Sequence, residues 1–337
     1  MRRRTPRAAL EAALALALVT APETAAARAA EAESAAVEPT ALAPGVDLLR
    51  GAFVPGSQPD GNSVVFRGPA GLLVVDTGRH PAHTRRLLAH AAKAGQPIVA
   101  ILNTHWHLDH VGGNVLLRRE VPAAKVYASG AIRGALAQGG FLADYRAQLE
   151  TMIADPKGSE ESKGSLRAEL ALLEAAPALA PDVVVEASGP LTLAGRTLDV
   201  HLERAATRGD LWLIDRESGV LVAGDLVTLP APFLDTACPA RWKQALARLA
   251  AAEWRTLVPG HGPPMSRATF ARWHLAFDAL LACAASEEPA AVCVEGWIRE
   301  AGDLVEPAHG RLVRGMGEYY VTSHLRSAEK TAQLCGQ

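Results

Sequence analysis

The apolar run Pro97-Ile98-Val99-Ala100-Ile101-Leu102-Asn103 leads straight into Thr104-His105-Trp106-His107-Leu108-Asp109-His110-Val111-Gly112-Gly113-Asn114. Short apolar runs bounded by Gly or Pro read as buried strands, so three imidazoles and a carboxylate sit on the loop at a strand's C-terminal end. Packing alone gives no reason to gather these four side chains within six residues. Histidine nitrogen and Asp oxygen are zinc ligands. Alternating residues of an extended turn would aim His105 and His107 at one ion and Asp109 and His110 at a neighbour, with Gly112 and Gly113 turning the chain tightly beside them.

Further runs supply the sheets that such a loop needs. Ser63 to Phe66 and Gly71 to Asp76 have the same bounded apolar character, and the stretch from Ala82 to Ala94 between the second run and the third has helical spacing. Strands are also expected at Lys125 to Tyr127, Leu191 to Leu193, Thr197 to Leu202, Leu211 to Ile214, Val220 to Ala223 and Thr256 to Val258. The alternation reads as sheets covered by helices. With 337 residues, 49% of them hydrophobic and 21% charged, and no repeat, the chain fits one elaborated α/β domain and excludes a disordered chain or a solenoid. Two helical stretches depart from the alternation. One runs from Ala131 to Ala180 with a polar interruption at Asp155 to Ser165, and the other begins after Pro264, where Phe270, Trp273, Phe277, Leu280 and Leu281 describe an amphipathic helix packed on the core.

The N-terminus has the parts of a secretory signal: Arg2, Arg3, Arg4 and Arg7, an apolar stretch from Ala12 to Val19, and the small residues Ala25, Ala26 and Ala27. That stretch falls short of the roughly 20 residues a bilayer span requires, so no stable membrane anchor is expected. Residues 1–27 read as a signal peptide, 28–45 as a flexible lead-in, and the destination as periplasmic or secreted. Export makes disulfides possible for Cys238, Cys283, Cys293 and Cys335. Cys283 and Cys293 flank the Glu287-Glu288-Pro289 break as a staple across a helical hairpin, and a Cys238–Cys335 pair is expected as well; buried free thiols are the alternative. The net charge of −2 and the lack of a basic patch argue against a nucleic-acid partner.

Three more polar residues end buried runs: Asp76 before Thr77-Gly78, Asp225 in Ala223-Gly224-Asp225-Leu226, and His261 in Val258-Pro259-Gly260-His261-Gly262. Together with the histidine cluster they make the chain resemble the metallo-β-lactamase superfamily, from about Val46 to His261. The resemblance implies an αββα sandwich over residues 46–265, with a helical insertion at 131–180 and a helical C-terminal extension at 266–337. It implies that His105 and His107 hold a first metal, that Asp109, His110 and His261 hold a second, that Asp225 bridges them and that Asp76 orients the metal loop. His107, where diiron relatives carry Glu, favours zinc, and Asp225, where true β-lactamases tend to have Cys or Ser, argues against antibiotic hydrolysis.

One position departs from the family's His-Thr-x-Gly-Asp motif. The chain reads Ala205-Ala206-Thr207-Arg208-Gly209-Asp210, so Ala206 stands where a third ligand of the first metal is expected. His201, the nearest histidine, lies on a strand whose Leu198, Val200 and Leu202 face the other way. One or two zinc ions are therefore expected, the second site more secure than the first.

The run Asp225 to Pro230, the run Pro232 to Pro239 and the Cys-bearing C-terminal extension also resemble the quinoprotein relay system zinc metallohydrolases, which implies a periplasmic quinoprotein dehydrogenase system as partner. The expected activity is hydrolysis of a small ester, thioester or lactone by metal-activated water, with Asp109 and Asp225 as the catalytic carboxylates. The alternative is a site-degenerate accessory protein that binds metal without turnover.

Overall fold

The computed structural model describes residues 38–52, 58–157 and 159–336, so the N-terminal signal expected at 1–27 lies outside the described residues. Two sheets carry the chain. The first has seven strands in sequential order: β1 (Thr40–Ala43), β2 (Val46–Leu49), β3 (Ser63–Gly68), β4 (Gly71–Val75), β5 (Ile98–Leu102), β6 (Lys125–Ala128) and β7 (Val183–Val184). The second runs β12 (Thr256–Pro259), β11 (Val220–Gly224), β10 (Asp210–Asp215), β9 (Arg196–Glu203), β8 (Gly189–Leu193). Every strand read from the sequence is present. β1, β2 and β7 were not foreseen, being short and without a continuous apolar run, and β1 brings the sheet's first strand forward of residue 46.

Helices cover both outer faces. Val46, Val64, Phe66, Leu73, Val75 and Leu102 of the first sheet meet Leu198, Val200, Leu211, Leu213 and Val222 of the second. Strand side chains alternate between faces, so the neighbouring residues Val65, Leu72, Val74 and Ile101 look outward onto Leu87 of α1 (Pro81–Ala94) and Leu117 of α3 (Asn114–Glu120). The outer face of the second sheet, with Trp212, Leu221 and Leu257, packs on Trp242, Trp273, Phe277 and Trp297. This is the αββα layering.

The insertion comprises α4 (Ala131–Leu136), α5 (Phe141–Ala154), α6 (Glu160–Glu174) and α7 (Ala176–Leu179). The polar interruption is short: the chain is helical again from Glu160 onward, so α5 and α6 pack as a helical hairpin. Ile132, Leu142, Leu149, Leu173 and Leu179 pack on Trp106, Leu108 and Val111, so the insertion sits directly on the histidine loop.

The C-terminal half adds α8 (Pro239–Ala251), α9 (Arg267–Ala284), α10 (Ala290–Ala301), α11 (Gly310–Tyr320) and α12 (Ala328–Cys335). Three of these helices each turn a buried indole onto the segment after Asp225: Trp242 Nε1 donates to Leu226 O at 2.9 Å, Trp273 to Thr228 O at 3.0 Å and Trp297 to Pro230 O at 3.2 Å. Carbonyls of alternate residues are thus satisfied without a strand partner. Both expected disulfides, Cys283–Cys293 and Cys238–Cys335, are formed, the second tying the end of the same segment to the C-terminus. Among the described residues no helix is long and apolar enough to cross a membrane.

Candidate metal centre

The histidine loop leaves β5 in two parts. The chain bends at Thr104 and His105, and His107, with an extended backbone, caps a single helical turn, α2 (Leu108–Val111), which carries Asp109 and His110. The expected extended turn is thus replaced by a bend at His105 and a helical turn under Asp109 and His110, with only His107 extended between them. Gly112 and Gly113 also have a different role from the one expected. Their φ values of −58° and −64° are ordinary, and what excludes a side chain is close approach: a Cβ would lie 2.7 Å from Leu108 O at Gly112 and 2.2 Å from Thr77 O at Gly113.

Strand ends from both sheets bring the remaining residues to this loop. His105, His107 and Asp225 present donor atoms within 4.8 Å of one another, and so do Asp109, His110 and His261. All six are buried. His110 Nε2 lies 3.3 Å from His261 Nε2, 3.3 Å from Asp225 Oδ1 and 3.7 Å from Asp109 Oδ2, while His261 Nε2 lies 3.0 Å from Asp109 Oδ2 and 3.7 Å from Asp225 Oδ1. Ligands about 2.0–2.1 Å from a tetrahedral zinc stand about 3.3 Å apart along each edge, and these separations bracket that value. His105 Nε2, 3.8 Å from Asp225 Oδ2, is buried without a hydrogen-bond partner, as is Asp225 Oδ1. Buried polar atoms are almost always satisfied, and a divalent cation would satisfy both.

The groups behind the donors set their tautomers. Asp76, in the left-handed region at φ 59°, accepts the Thr104 amide at 2.7 Å, the Thr104 hydroxyl at 2.7 Å and His110 Nδ1 at 2.8 Å. Having given its proton to Asp76, the Thr104 hydroxyl accepts from His105 Nδ1 at 3.0 Å. Both imidazoles therefore carry their proton on Nδ1 and offer Nε2 to the centre, the arrangement that fixes a metal-ligating histidine. Burial pushes His105 well below the usual histidine range and His107 down to about 4, leaving both as neutral donors. Burial opposes protonation of His110 too, but the carboxylates of Asp225, Asp76 and Asp109 outweigh it and raise its pKa well above normal. The pocket's field calls for a cation.

Several residues that sequence reasoning did not single out hold this frame. Asp60 accepts the amides of Arg79 and His80 at 2.6 and 2.9 Å ahead of α1, and the Asn62 side-chain amide donates to Pro259 O and Gly262 O at 2.9 and 2.8 Å, bracketing His261. Arg79 lies against Asp109 and pairs with Glu169 of α6. A polar triplet, Asp60-Gly61-Asn62, just before an apolar strand was the available signal; for Glu169 there was none.

Ala206 is buried where its motif predicts. Asp210 accepts from the amides of Ala205 and Thr207 and from the Thr207 hydroxyl, which holds the Ala205 to Asp210 loop shut. His201 does not join the centre. It stacks flat on Trp212, its cross-strand neighbour, with ring centroids 3.8 Å apart, on the face opposite Leu198 and Val200.

Residues 57–261 match the family model described as the metallo-beta-lactamase superfamily, well over half of the chain. The chain belongs to the metallo-beta-lactamase superfamily. A superfamily relative, the linear primary-alkylsulfatase of Pseudomonas sp. (strain ATCC 19151), is 26% identical over 221 residues, covering 60% of this chain and 41% of that protein. Over a shorter stretch of 54 residues, 16% of this chain and 21% of the relative, the hydroxyacylglutathione hydrolase of Synechococcus sp. (strain JA-2-3B'a(2-13)) is 48% identical. The chain thus spans less than half the length of either curated relative. In fold it is similar to a metallo-beta-lactamase family protein of Thermus thermophilus, at TM-score 0.53 and 22% identity over 82% of this chain and 95% of that one. The superfamily's members are hydrolases whose fold typically binds divalent metals, and this chain carries two candidate donor groups for them.

Proposed function

We propose that this superfamily member is an exported zinc-dependent hydrolase of a small ester, thioester or lactone. One observation carries the reading: two buried donor groups meet at Asp225, with separations suited to tetrahedral coordination. Bound zinc would polarise the scissile carbonyl and acidify a water molecule. The chain's own residues would then orient the reactants. Asp109 and Asp225 would accept hydrogen bonds from an attacking water and orient it, and Arg79, 3.6 Å from Asp109, restrains that carboxylate. Trp106, Phe141 and Phe233 surround His107, with centroids 4.5, 6.3 and 5.2 Å from its ring. Phe141 is 38% exposed. Such an apolar rim suits a substrate with a hydrocarbon or aromatic body and excludes bulk water from the leaving side.

Two disulfides accord with an oxidising compartment, and service to a periplasmic quinoprotein dehydrogenase system belongs to the same proposal. The test is turnover by the zinc-loaded full chain on a panel of carboxylic esters, thioesters, lactones and alkyl sulfates. Hydrolysis of an acyl substrate that is lost in Asp225→Asn is expected; hydrolysis of the sulfate ester alone would move the reaction to sulfur, and none at all with both ions bound would overturn the reading.

Ala206 favours a second reading, a metal-binding accessory protein without turnover. The Ala206→His variant separates the two: activity that appears or rises with zinc content keeps the enzyme reading, and silence across the panel with two ions bound supports the accessory one.

A further inference from the structure

With alanine at 206, what the loop presents toward the first donor group is a backbone carbonyl. Ala206 O accepts the Thr236 hydroxyl at 2.8 Å, and Thr236 Oγ1 lies 3.2 Å from His107 Nε2. A threonine hydroxyl has one proton, and the shorter contact, to a carbonyl that can only accept, takes it. The contact to the imidazole is therefore an Nε2–H donating to Oγ1. A neutral imidazole protonated on Nε2 keeps its lone pair on Nδ1. The rings of Trp106, His105, Phe141 and Phe233 stand around His107, and Asp225 offers a carboxylate oxygen within 4.8 Å of one of its nitrogens.

Thr236 is held from both sides. Asp235 beside it accepts the Tyr320 hydroxyl at 3.1 Å and faces His324 Nε2 at 3.1 Å. Two residues on, Cys238 donates its amide to Ala205 O at 2.8 Å and is bonded through sulfur to Cys335. Unlike His105 and His110, which Thr104 and Asp76 set from within the sandwich, His107 is set by a segment that the C-terminal extension clamps.

We propose that Thr236 is a positioning residue of the metal centre: through Ala206 O and His107 Nε2 it fixes the tautomer that offers His107 Nδ1 to the first ion, supporting a group that lacks its third histidine. This rests on the reading of the two donor groups as a metal centre. Thr236→Val keeps the shape and removes the hydroxyl; Thr236→Ser restores it.

Two measurements on the full chain test the proposal. In the metal-free protein, imidazole nitrogen-15 chemical shifts of His107 are expected to show a protonated Nε2 and a bare Nδ1, and a mixture of tautomers in the valine variant. In chelator-competed zinc titrations, the valine variant is expected to lose about 10–100-fold in affinity at the weaker ion with the tighter one unchanged, the usual effect of removing an outer hydrogen bond, and serine to recover most of it. A proton on Nδ1 of the wild type, a valine variant with wild-type affinity at the weaker site, or a serine variant as weak as valine would each overturn the role of Thr236 while leaving the centre standing. If the wild type binds a single ion at saturating zinc, the proposal falls and the second group remains; if it binds none, the reading of the centre falls with it.

Discussion

Arg79 spans the interval between Asp109 on the histidine loop and Glu169 on the inserted helix α6, its guanidinium 3.6 Å from the first and paired directly with the second. Burial disfavours a charged guanidinium, yet Glu169 and Asp109 more than reverse this and hold Arg79 even more firmly protonated than usual. The insertion is thereby coupled to a donor of the second metal group by charge as well as by the Trp106 and Leu108 contacts.

Replacing Arg79 by methionine is expected to cost about 3–5 kcal/mol, because Glu169 is left as an unpaired buried charge. Urea denaturation of metal-free protein measures this. The same variant should bind its tighter zinc about 10–100-fold more weakly through a loosened Asp109, read by chelator competition.

Asp76 directs two imidazoles at once, so Asp76→Asn should weaken both ions together, by about 10–100-fold each, whereas Thr104→Val should weaken chiefly the ion held by His105. Asparagine tolerates the left-handed backbone at position 76, so near-native circular dichroism is expected beside the lost affinity. Equal loss at both sites in Thr104→Val would contradict this division of labour.

The stability of metal-free protein should fall as pH drops from about 6.5 to about 4. His83, buried with its Nε2 2.8 Å from the Ser63 hydroxyl, is pushed down to about 4 by burial, aided by Arg86, His80 and His110 and opposed by Asp60. Its folded pKa lies below the unfolded value, so the unfolded chain takes up the proton first. The full contribution is present above 6.5 and is lost on acidification, at most about 3 kcal/mol. Denaturation midpoints across that interval in chelator should flatten in His83→Gln.

The two disulfides should differ in worth. Cys238 and Cys335 are 97 residues apart and Cys283 and Cys293 ten; loop-closure entropy then predicts about 4.7 and about 2.7 kcal/mol. Paired serine variants compared in urea should rank in that order, and Cys238→Ser/Cys335→Ser should also weaken zinc retention, because the bridge anchors the segment bearing Thr236.

The strands that carry the centre, from Ser63 to Val258, were legible in the residues alone, because buried strands advertise themselves as bounded apolar runs. The six candidate donors were legible as well, since His105, His107, Asp225 and His261 follow strand ends closely and Asp109 and His110 continue the first of these loops, and the sheets bring all six together in two groups. The weak strands β1, β2 and β7 were not legible, because they gain their order from pairing with neighbours and not from their own composition. What stands behind the donors emerges from the folded chain alone. Asp60, Asn62, Arg79, Glu169 and Thr236 lie between 19 and 200 residues from the partners they hold, and a hydrogen bond or buried ion pair across such separations has no periodicity to betray it. The same reason explains Ala206: its sequence shows a missing ligand, while the hydroxyl that leans on its carbonyl comes from a segment clamped by helices and a disulfide at the far end of the chain.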